Sequence, residues 1–229
     1  MLKGYGAVIL DGVWLTLQLA LSSMALAIVL GLIGVALRLS PVHWLARLGD
    51  LYATVIRGIP DLVLILLIFY GGQDILNRVA SLFGHNDYID LNPLIAGIGT
   101  LGFIFGAYLS ETFRGAFMAI PKGQAEAGMA YGMSGFQVFF RVLVPQMIRL
   151  AIPGFTNNWL VLTKATALIS VVGLQDMMFK AKQAADATRE PFTFYLAVAG
   201  LYLVITSVSL LALRYLEKRY SVGVKAAEL

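Results

Sequence analysis

Three ionisable side chains within long apolar segments are the residues whose types could do chemistry in this sequence. Asp61, Glu111 and Lys164 each lie in a stretch dominated by aliphatic and aromatic residues. A charge at membrane depth costs about 2.5–3.5 kcal/mol on insertion scales, so each needs a partner or an aqueous cavity. Residues of this kind mark a solute path or an ion pair between helices. The chemistry predicted is therefore recognition of a charged solute, ion pairing, or both, rather than bond making.

Asp61 follows the run R-G-I-P at residues 57–60, whose proline removes a backbone hydrogen bond and interrupts the helix around it. A broken helix that faces a cavity is a common substrate site in transporters. An acidic residue at this depth could balance the charge of a cationic solute. Alternatively, Asp61 forms an ion pair with Arg57, one helical turn earlier. Both alternatives remain open at the level of the sequence.

Lys164 could bind the carboxylate of a solute together with Asn157 and Asn158, which lie about two turns earlier on the same predicted helix. The alternative is an ion pair of Lys164 with Glu111 or Asp61 across the helix bundle. Because an unpaired buried charge is costly, we favour the ion pair over solute binding.

Glu111 and Arg114 lie three residues apart, a spacing that places two side chains on one face of a helix. We therefore predict a structural ion pair between them. The same apolar segment contains four small residues that allow close helix packing in lipid, namely Gly97, Gly99, Gly102 and Gly106.

Residues suited to catalysis or to metal binding are scarce in this chain. It has no cysteine, and its two histidines, His43 and His85, fall in loops predicted to lie on opposite sides of a membrane. We find no serine–histidine arrangement, zinc-ligand spacing or phosphate-binding glycine loop with a lysine. The sequence therefore predicts no catalytic residue, no metal site and no cofactor bound by this chain.

The elements that position these residues are membrane-spanning helices. Hydrophobic residues make up 59% of the 229 residues and charged ones 13%, about half the charged share of an average soluble domain. We predict an all-α integral membrane protein, with a single transmembrane domain over residues 1–229 and its core at about 13–213. The five predicted spans are Val13–Leu37, Leu51–Ile75, Leu94–Phe113, Ala151–Leu174 and Phe192–Leu213.

The orientation follows from the distribution of lysine and arginine, which accumulate in cytoplasmic loops. With the N-terminus outside, eleven of these residues fall on the cytoplasmic side and five on the other. We therefore predict a periplasmic N-terminus and a cytoplasmic C-terminus.

The longest segment between predicted spans, residues 114–150, carries paired helix signals. Pro121 suits the first turn of a helix and Gly132 a C-terminal cap, which predicts a short helix over Pro121–Gly132. The spacing of Ser134 and Gln137 fits a capping box, so we predict a second helix over Ser134–Val144 that stops at Pro145. Both helices carry much apolar surface, which predicts packing against the span ends and docking of a partner.

The run E-A-G-M-A-Y-G from Glu126, followed by nine residues and V-L-V-P ending at Pro145, resembles the EAA loop of bacterial binding-protein-dependent ABC importers. The matching positions include Ala127 and Gly132. The chain departs from the family pattern at Gly128, where the family has a second alanine. The resemblance implies a coupling loop for a separate ATPase, with Glu126 on a helix that enters a groove of that partner. The loop residues it implies are Glu126, Ala127, Gly128, Gly132 and Pro145.

Further runs extend the resemblance to the polar amino-acid permease group, including A-Y-L-S-E-T-F-R-G at 107–115 and K-A-T-A-L-I-S at 164–170. The resemblance implies a type I ABC importer transmembrane domain in a bacterial inner membrane, translocating histidine, arginine, lysine and ornithine by alternating access. It also implies a second, related permease chain, an ATPase homodimer that binds the ATP, and a periplasmic amino-acid-binding protein. The alternative is a small secondary transporter or channel that is not driven by ATP.

Overall fold

The computed structural model describes residues 2–85 and 87–220, and this part of the chain is a bundle of helices joined by short connections. The helices, numbered in chain order, are α1 (Gly6–Arg38), α2 (His43–Gly58), α3 (Asp61–Leu82), α4 (Pro93–Met118), α5 (Lys122–Ala130), α6 (Gly135–Val138), α7 (Val144–Ile169), α8 (Met177–Thr188) and α9 (Pro191–Tyr220). A π-helical turn, Phe139–Leu143, joins α6 to α7, and a short 3₁₀ turn, Ser170–Val172, follows α7.

Five of these helical stretches are long and apolar enough to cross a membrane, which confirms the predicted number of spans within the described residues. The bundle has two ends. The α5 end contains α5, α6 and the C-terminal end of α4, and the α8 end contains α8 and the N-terminal end of α1. Which end faces the cytoplasm stays a prediction.

The predicted second span, Leu51–Ile75, is wrong because the chain breaks between α2 and α3. Ile59 and Pro60 adopt extended backbone angles, with ψ of 138° and 135°. A proline disfavours the helical conformation of the residue before it and lacks the N–H that would continue α2. The apolar span is therefore Asp61–Leu82, and residues 51–58 belong to the separate helix α2.

The predicted stop of the second loop helix at Pro145 and the predicted fourth span, Ala151–Leu174, are also wrong. Helical structure runs without a break from Gly135 to Val172. The backbone N–H of Val144 reaches back five residues to the carbonyl of Phe139. This wider turn lets Pro145 occupy the first turn of α7, where a missing N–H leaves no hydrogen bond unmade.

The centre of the bundle is the contact between α1 and α4. Leu19, Leu101, Ile104 and Phe105 are fully buried there. Small residues allow the two backbones to approach: a Cβ added at Gly102 would lie 2.5 Å from the Leu26 side chain. Close packing of this kind is what holds helices together in lipid.

Near the N-terminal end of α1, the N-terminus of α8 packs directly on Gly12. The Met177 N–H donates to the Thr16 hydroxyl at 3.3 Å, and the fully buried Asp176 caps α8 by accepting from Phe179 N–H at 2.9 Å. Burial raises the pKa of the Asp176 carboxyl to about 6, although backbone hydrogen bonds oppose the shift. The polar segment before the last span is therefore a helix docked on α1.

We expect the substitution Gly12→Ala to destabilise the bundle, whereas Gly99→Ala should not. An added Cβ at Gly12 would lie 2.7 Å from the Met177 backbone, which cannot rotate away as a side chain would. Overpacking of this kind costs about 1–3 kcal/mol. No atom lies within 4 Å of a Cβ at Gly99, where alanine favours the helix by about 1 kcal/mol. Thermal unfolding of the two variants in detergent measures the difference, and equal midpoints would contradict the packing described.

Candidate functional site

A cluster of charged side chains lies at the α5 end of the bundle, centred on the Glu111 carboxylate. Glu111 Oε2 accepts from Arg38 Nη1 at 2.6 Å and lies 3.3 Å from Arg57 Nη1, and Oε1 lies 3.7 Å from Arg114 Nη2. Arg38 also donates from Nε to Asp50 at 2.8 Å, and its side chain is only 7% exposed. The predicted ion pair between Glu111 and Arg114 is present, and it is one part of a network that joins α1, α2 and α4.

Asp61 does not pair with Arg57, so that alternative is wrong. The i,i+4 relation between the two residues holds only in a continuous helix, and the extended residues before α3 separate them. Instead, the Tyr108 hydroxyl donates to Asp61 Oδ1 at 3.4 Å. The Arg57 guanidinium lies over the ring of the same tyrosine, with Cζ 5.9 Å from the ring centroid. Tyr108 thus contacts both the positive and the negative group.

Two clefts of about 370 and 420 Å³ open beside this cluster and share Arg57, Tyr108 and Glu111 in their walls. Helix α7 forms one wall of the first cleft, and Asn157 lies in this wall with its side chain exposed. Asn158 also borders it but is buried, and it donates to the Thr112 hydroxyl and the Gly154 carbonyl, each at 2.9 Å. Its amide group is thereby held in the packing of α4 against α7, which leaves Asn157 as the asparagine available to a solute.

Lys164 lines neither cleft. No acidic residue of the described chain lies within ion-pair distance of it, so the predicted pairing with Glu111 or Asp61 is wrong. Lys164 is exposed on the same face of α7 as Asn157 but seven residues later, a rise of about 10 Å along the helix. The lysine and the arginine cluster therefore lie at different depths of the bundle.

Arg38 and Tyr108 are the residues of this site that the sequence did not single out. Tyr108 lies three residues before Glu111, a spacing that indicates a shared helix face. Arg38 ends the first apolar segment, and its position in the sequence indicates only the orientation of the chain. Its partner Asp50 is close only because α2 folds back on α1, which no local pattern indicates.

The loop helix α5 has the predicted C-terminal cap at Gly132, although the helix is shorter than predicted. Pro121 precedes its first turn, and Gly132 follows its end with a left-handed φ of 80°. The Gly132 N–H donates to Met129 O at 2.9 Å and the Met133 N–H to Gly128 O at 3.1 Å, which is the Schellman arrangement. The predicted capping box is also present, with Ser134 and Gln137 bonding each other's backbone N–H groups at 3.3 and 2.9 Å.

The two faces of α5 differ in what they contact. Gly128 is buried against α6, where an added Cβ would lie 3.0 Å from Val138. Glu126 and Ala127 are exposed. The neighbouring aromatic side chains Tyr131 and Phe136 are 88% and 73% exposed, so α5 and α6 present uncovered apolar surface around a single carboxylate.

Residues 15–222 match the family described as "Binding-protein-dependent transport system inner membrane component". Over all 229 residues the chain is 52% identical to the "Histidine/lysine/arginine/ornithine transport system permease protein HisQ" of Escherichia coli (strain K12), covering 100% of both chains. It is 39% identical over 222 residues to the "Octopine transport system permease protein OccQ" of Rhizobium radiobacter, covering 97% of this chain and 94% of that one.

Among solved structures, the fold is similar to that titled "Crystal structure of an amino acid ABC transporter with histidines". The TM-score is 0.81 at 28% identity, over 94% of this chain and 95% of that one. This agrees with the predicted type I ABC importer transmembrane fold, and the family match argues against a small secondary transporter. The chain is a transport component and belongs to the family of inner-membrane components of binding-protein-dependent transport systems.

Proposed function

We propose that this chain is the membrane-spanning permease subunit of an ATP-driven importer for basic amino acids: histidine, arginine, lysine and ornithine. The observation that carries the proposal is the full-length 52% identity to permease proteins for this substrate group. Relatives at 38–39% identity include permease proteins for octopine and arginine. A site that combines Asp61 with an exposed guanidinium fits solutes of this kind, since each carries both signs of charge.

The proposed coupling element is the loop from residue 121 to Pro145, with Glu126, Ala127, Gly128 and Gly132 in its first helix. A short helix with a defined C-terminal cap transmits a displacement, whereas a flexible segment absorbs it. Because Gly128 packs on α6 and α6 continues through the π-helical turn into α7, a displacement of α5 is passed to α7, which forms one wall of the first cleft. ATP binding and hydrolysis belong to a partner ATPase dimer in this proposal, and this chain has no catalytic role.

The remaining partners follow from the same proposal. Five spans rarely enclose a solute path alone, so a second permease chain of the HisM type completes it, and a periplasmic amino-acid-binding protein delivers the solute. The location is a bacterial inner membrane, with the N-terminus periplasmic and the α5 end cytoplasmic. The excess of lysine and arginine on the α5 side supports this orientation.

Reconstitution of the chain with these partners in proteoliposomes tests the proposal. We expect uptake of labelled arginine, lysine, histidine and ornithine that requires ATP on the ATPase side and survives proton and sodium ionophores. Methionine, a neutral amino acid, serves as the control solute. Uptake that follows an ion gradient without the ATPase would contradict the proposal and favour a secondary transporter.

A further inference from the structure

The guanidinium of Arg57 is only weakly held by its partner in the cluster at the α5 end. Its contact with Glu111 Oε2 is 3.3 Å, whereas Arg38 occupies the same oxygen at 2.6 Å. Charge-assisted hydrogen bonds between such groups are about 2.7–2.9 Å long. Among the described residues, Glu111 is the only acidic group within ion-pair distance of Arg57. Most of its five N–H donors are therefore available to another acceptor.

Arg57 is also open to a solute. Its side chain is 42% exposed, against 7% for Arg38, and it lies in the walls of both clefts. Releasing the Arg57 contact would leave Glu111 with Arg38 and Arg114, so the glutamate does not lose its charge compensation. An incoming carboxylate can thus replace Glu111 at Arg57 without leaving a buried charge unpaired.

Tyr108 contacts both this cation and the Asp61 carboxylate. The guanidinium lies over one face of its ring, while its hydroxyl contacts Asp61 at the edge of the ring. A planar guanidinium binds a carboxylate through two parallel N–H bonds, and stacking on a ring limits its rotation. Arg57 and Tyr108 line both clefts, whereas Asp61 lines neither and is joined to them through the Tyr108 hydroxyl. A solute bound at Arg57 therefore has the Asp61 carboxylate one tyrosine away.

Resting on the function proposed above, we propose that Arg57 binds the α-carboxylate of the transported amino acid, with Tyr108 positioning it and Asp61 facing the cationic side chain. The alternative role of Arg57 is to neutralise Glu111 only. The two roles differ in one respect: a carboxylate-binding residue discriminates an amino acid from the same molecule without its carboxylate.

Direct binding to the detergent-solubilised permease–ATPase complex, without the binding protein, tests this inference. The probes are labelled arginine, displaced by unlabelled arginine or by agmatine, which is arginine without the carboxylate. In the unmodified complex, arginine should bind about tenfold to a hundredfold more tightly than agmatine, as expected for the loss of charge-assisted hydrogen bonds. In Arg57→Gln, arginine binding should weaken to the level of agmatine, while agmatine binding changes less than about twofold.

Arg114→Gln is the matched control, because Arg114 also contacts Glu111 but lines neither cleft. It should keep the preference for arginine. Arg57→Lys keeps the positive charge beside Glu111 but lacks the planar fork, so it should lose most of the preference. If Arg57→Gln fails to assemble, Arg57→Lys still tests the inference.

An unchanged ratio of arginine to agmatine binding in Arg57→Lys, or equal binding of the two by the unmodified complex, would overturn the inference. Either result would leave the proposed function intact if ATP-driven arginine uptake persists in proteoliposomes. Failure of that uptake in the unmodified complex would instead overturn the proposed function itself.

Discussion

Substituting Glu126 with lysine is expected to uncouple ATP hydrolysis from uptake, lowering arginine transport by about tenfold or more while the complex still hydrolyses ATP. Glu126 is exposed on α5 and has no contact within the described chain that a lysine would break. Its effect would therefore come from a partner surface, where reversing a charge at a contact costs several kcal/mol. Transport and ATPase rates measured on the same proteoliposomes separate coupling from assembly.

The glycine that ends α5 offers a matched pair for the same test. Gly132 and Gly135 both have open space around an added Cβ, but only Gly132 has a left-handed φ, at 80°. Alanine at Gly132 is strained by about 1–2 kcal/mol and shifts the end of α5, whereas alanine at Gly135 is not strained. We expect uncoupling in Gly132→Ala and normal transport in Gly135→Ala. Normal uptake in both Glu126→Lys and Gly132→Ala would refute the assignment of the coupling loop.

Substituting Asp61 with asparagine is expected to raise the KM for arginine and lysine uptake about tenfold while the complex assembles normally. Asparagine has nearly the same shape and still accepts from the Tyr108 hydroxyl, so the helix start is preserved and only the charge is lost. Loss of one partially desolvated ion pair to a solute accounts for about one to two powers of ten. Histidine, whose side chain is mostly neutral above pH 7, should be affected less.

Asp74→Asn provides the control for this measurement. Asp74 lies on the same helix and pairs with Arg78 at 2.8 Å, but it is exposed and lies thirteen residues beyond Asp61, a rise of about 20 Å along α3. An exposed pair of this kind contributes less than about 1 kcal/mol, so its loss should leave transport unchanged. An unchanged KM for arginine in Asp61→Asn would refute a role of Asp61 in the substrate path.

Features predicted from residues close together in the sequence are present in the structure. The caps at Gly132 and Ser134 and the ion pair of Glu111 with Arg114 depend on residues within a few positions of each other, so sequence spacing fixes their geometry. The proline at position 60 predicts an interruption of the second span, which is confirmed. The loss of the Arg57–Asp61 pair does not follow from sequence spacing, because the break removes the helical register that would bring Arg57 to Asp61.

Pro145 shows a different limit. A proline that follows a helical pattern predicts the end of that helix. Whether the helix ends there or a new one begins depends on the hydrogen bonding of the preceding turn. Here the π-helical turn Phe139–Leu143 shifts the hydrogen bonding by one residue and makes Pro145 an acceptable first-turn residue. Such a turn has no sequence signature, since any of its residues also suits an ordinary α-helix.

By itself the sequence determined that this protein is a five-span helical membrane protein with two capped loop helices, because hydrophobic length and capping are local properties. Only the tertiary structure decided which charges meet. Arg38, Arg57 and Arg114 come from three helices and converge on Glu111. Lys164, equally charged, lies on α7 about 10 Å beyond Asn157 and joins none of them. Electrostatic pairing requires contact within a few ångströms, and for residues on different helices that distance is set by packing alone.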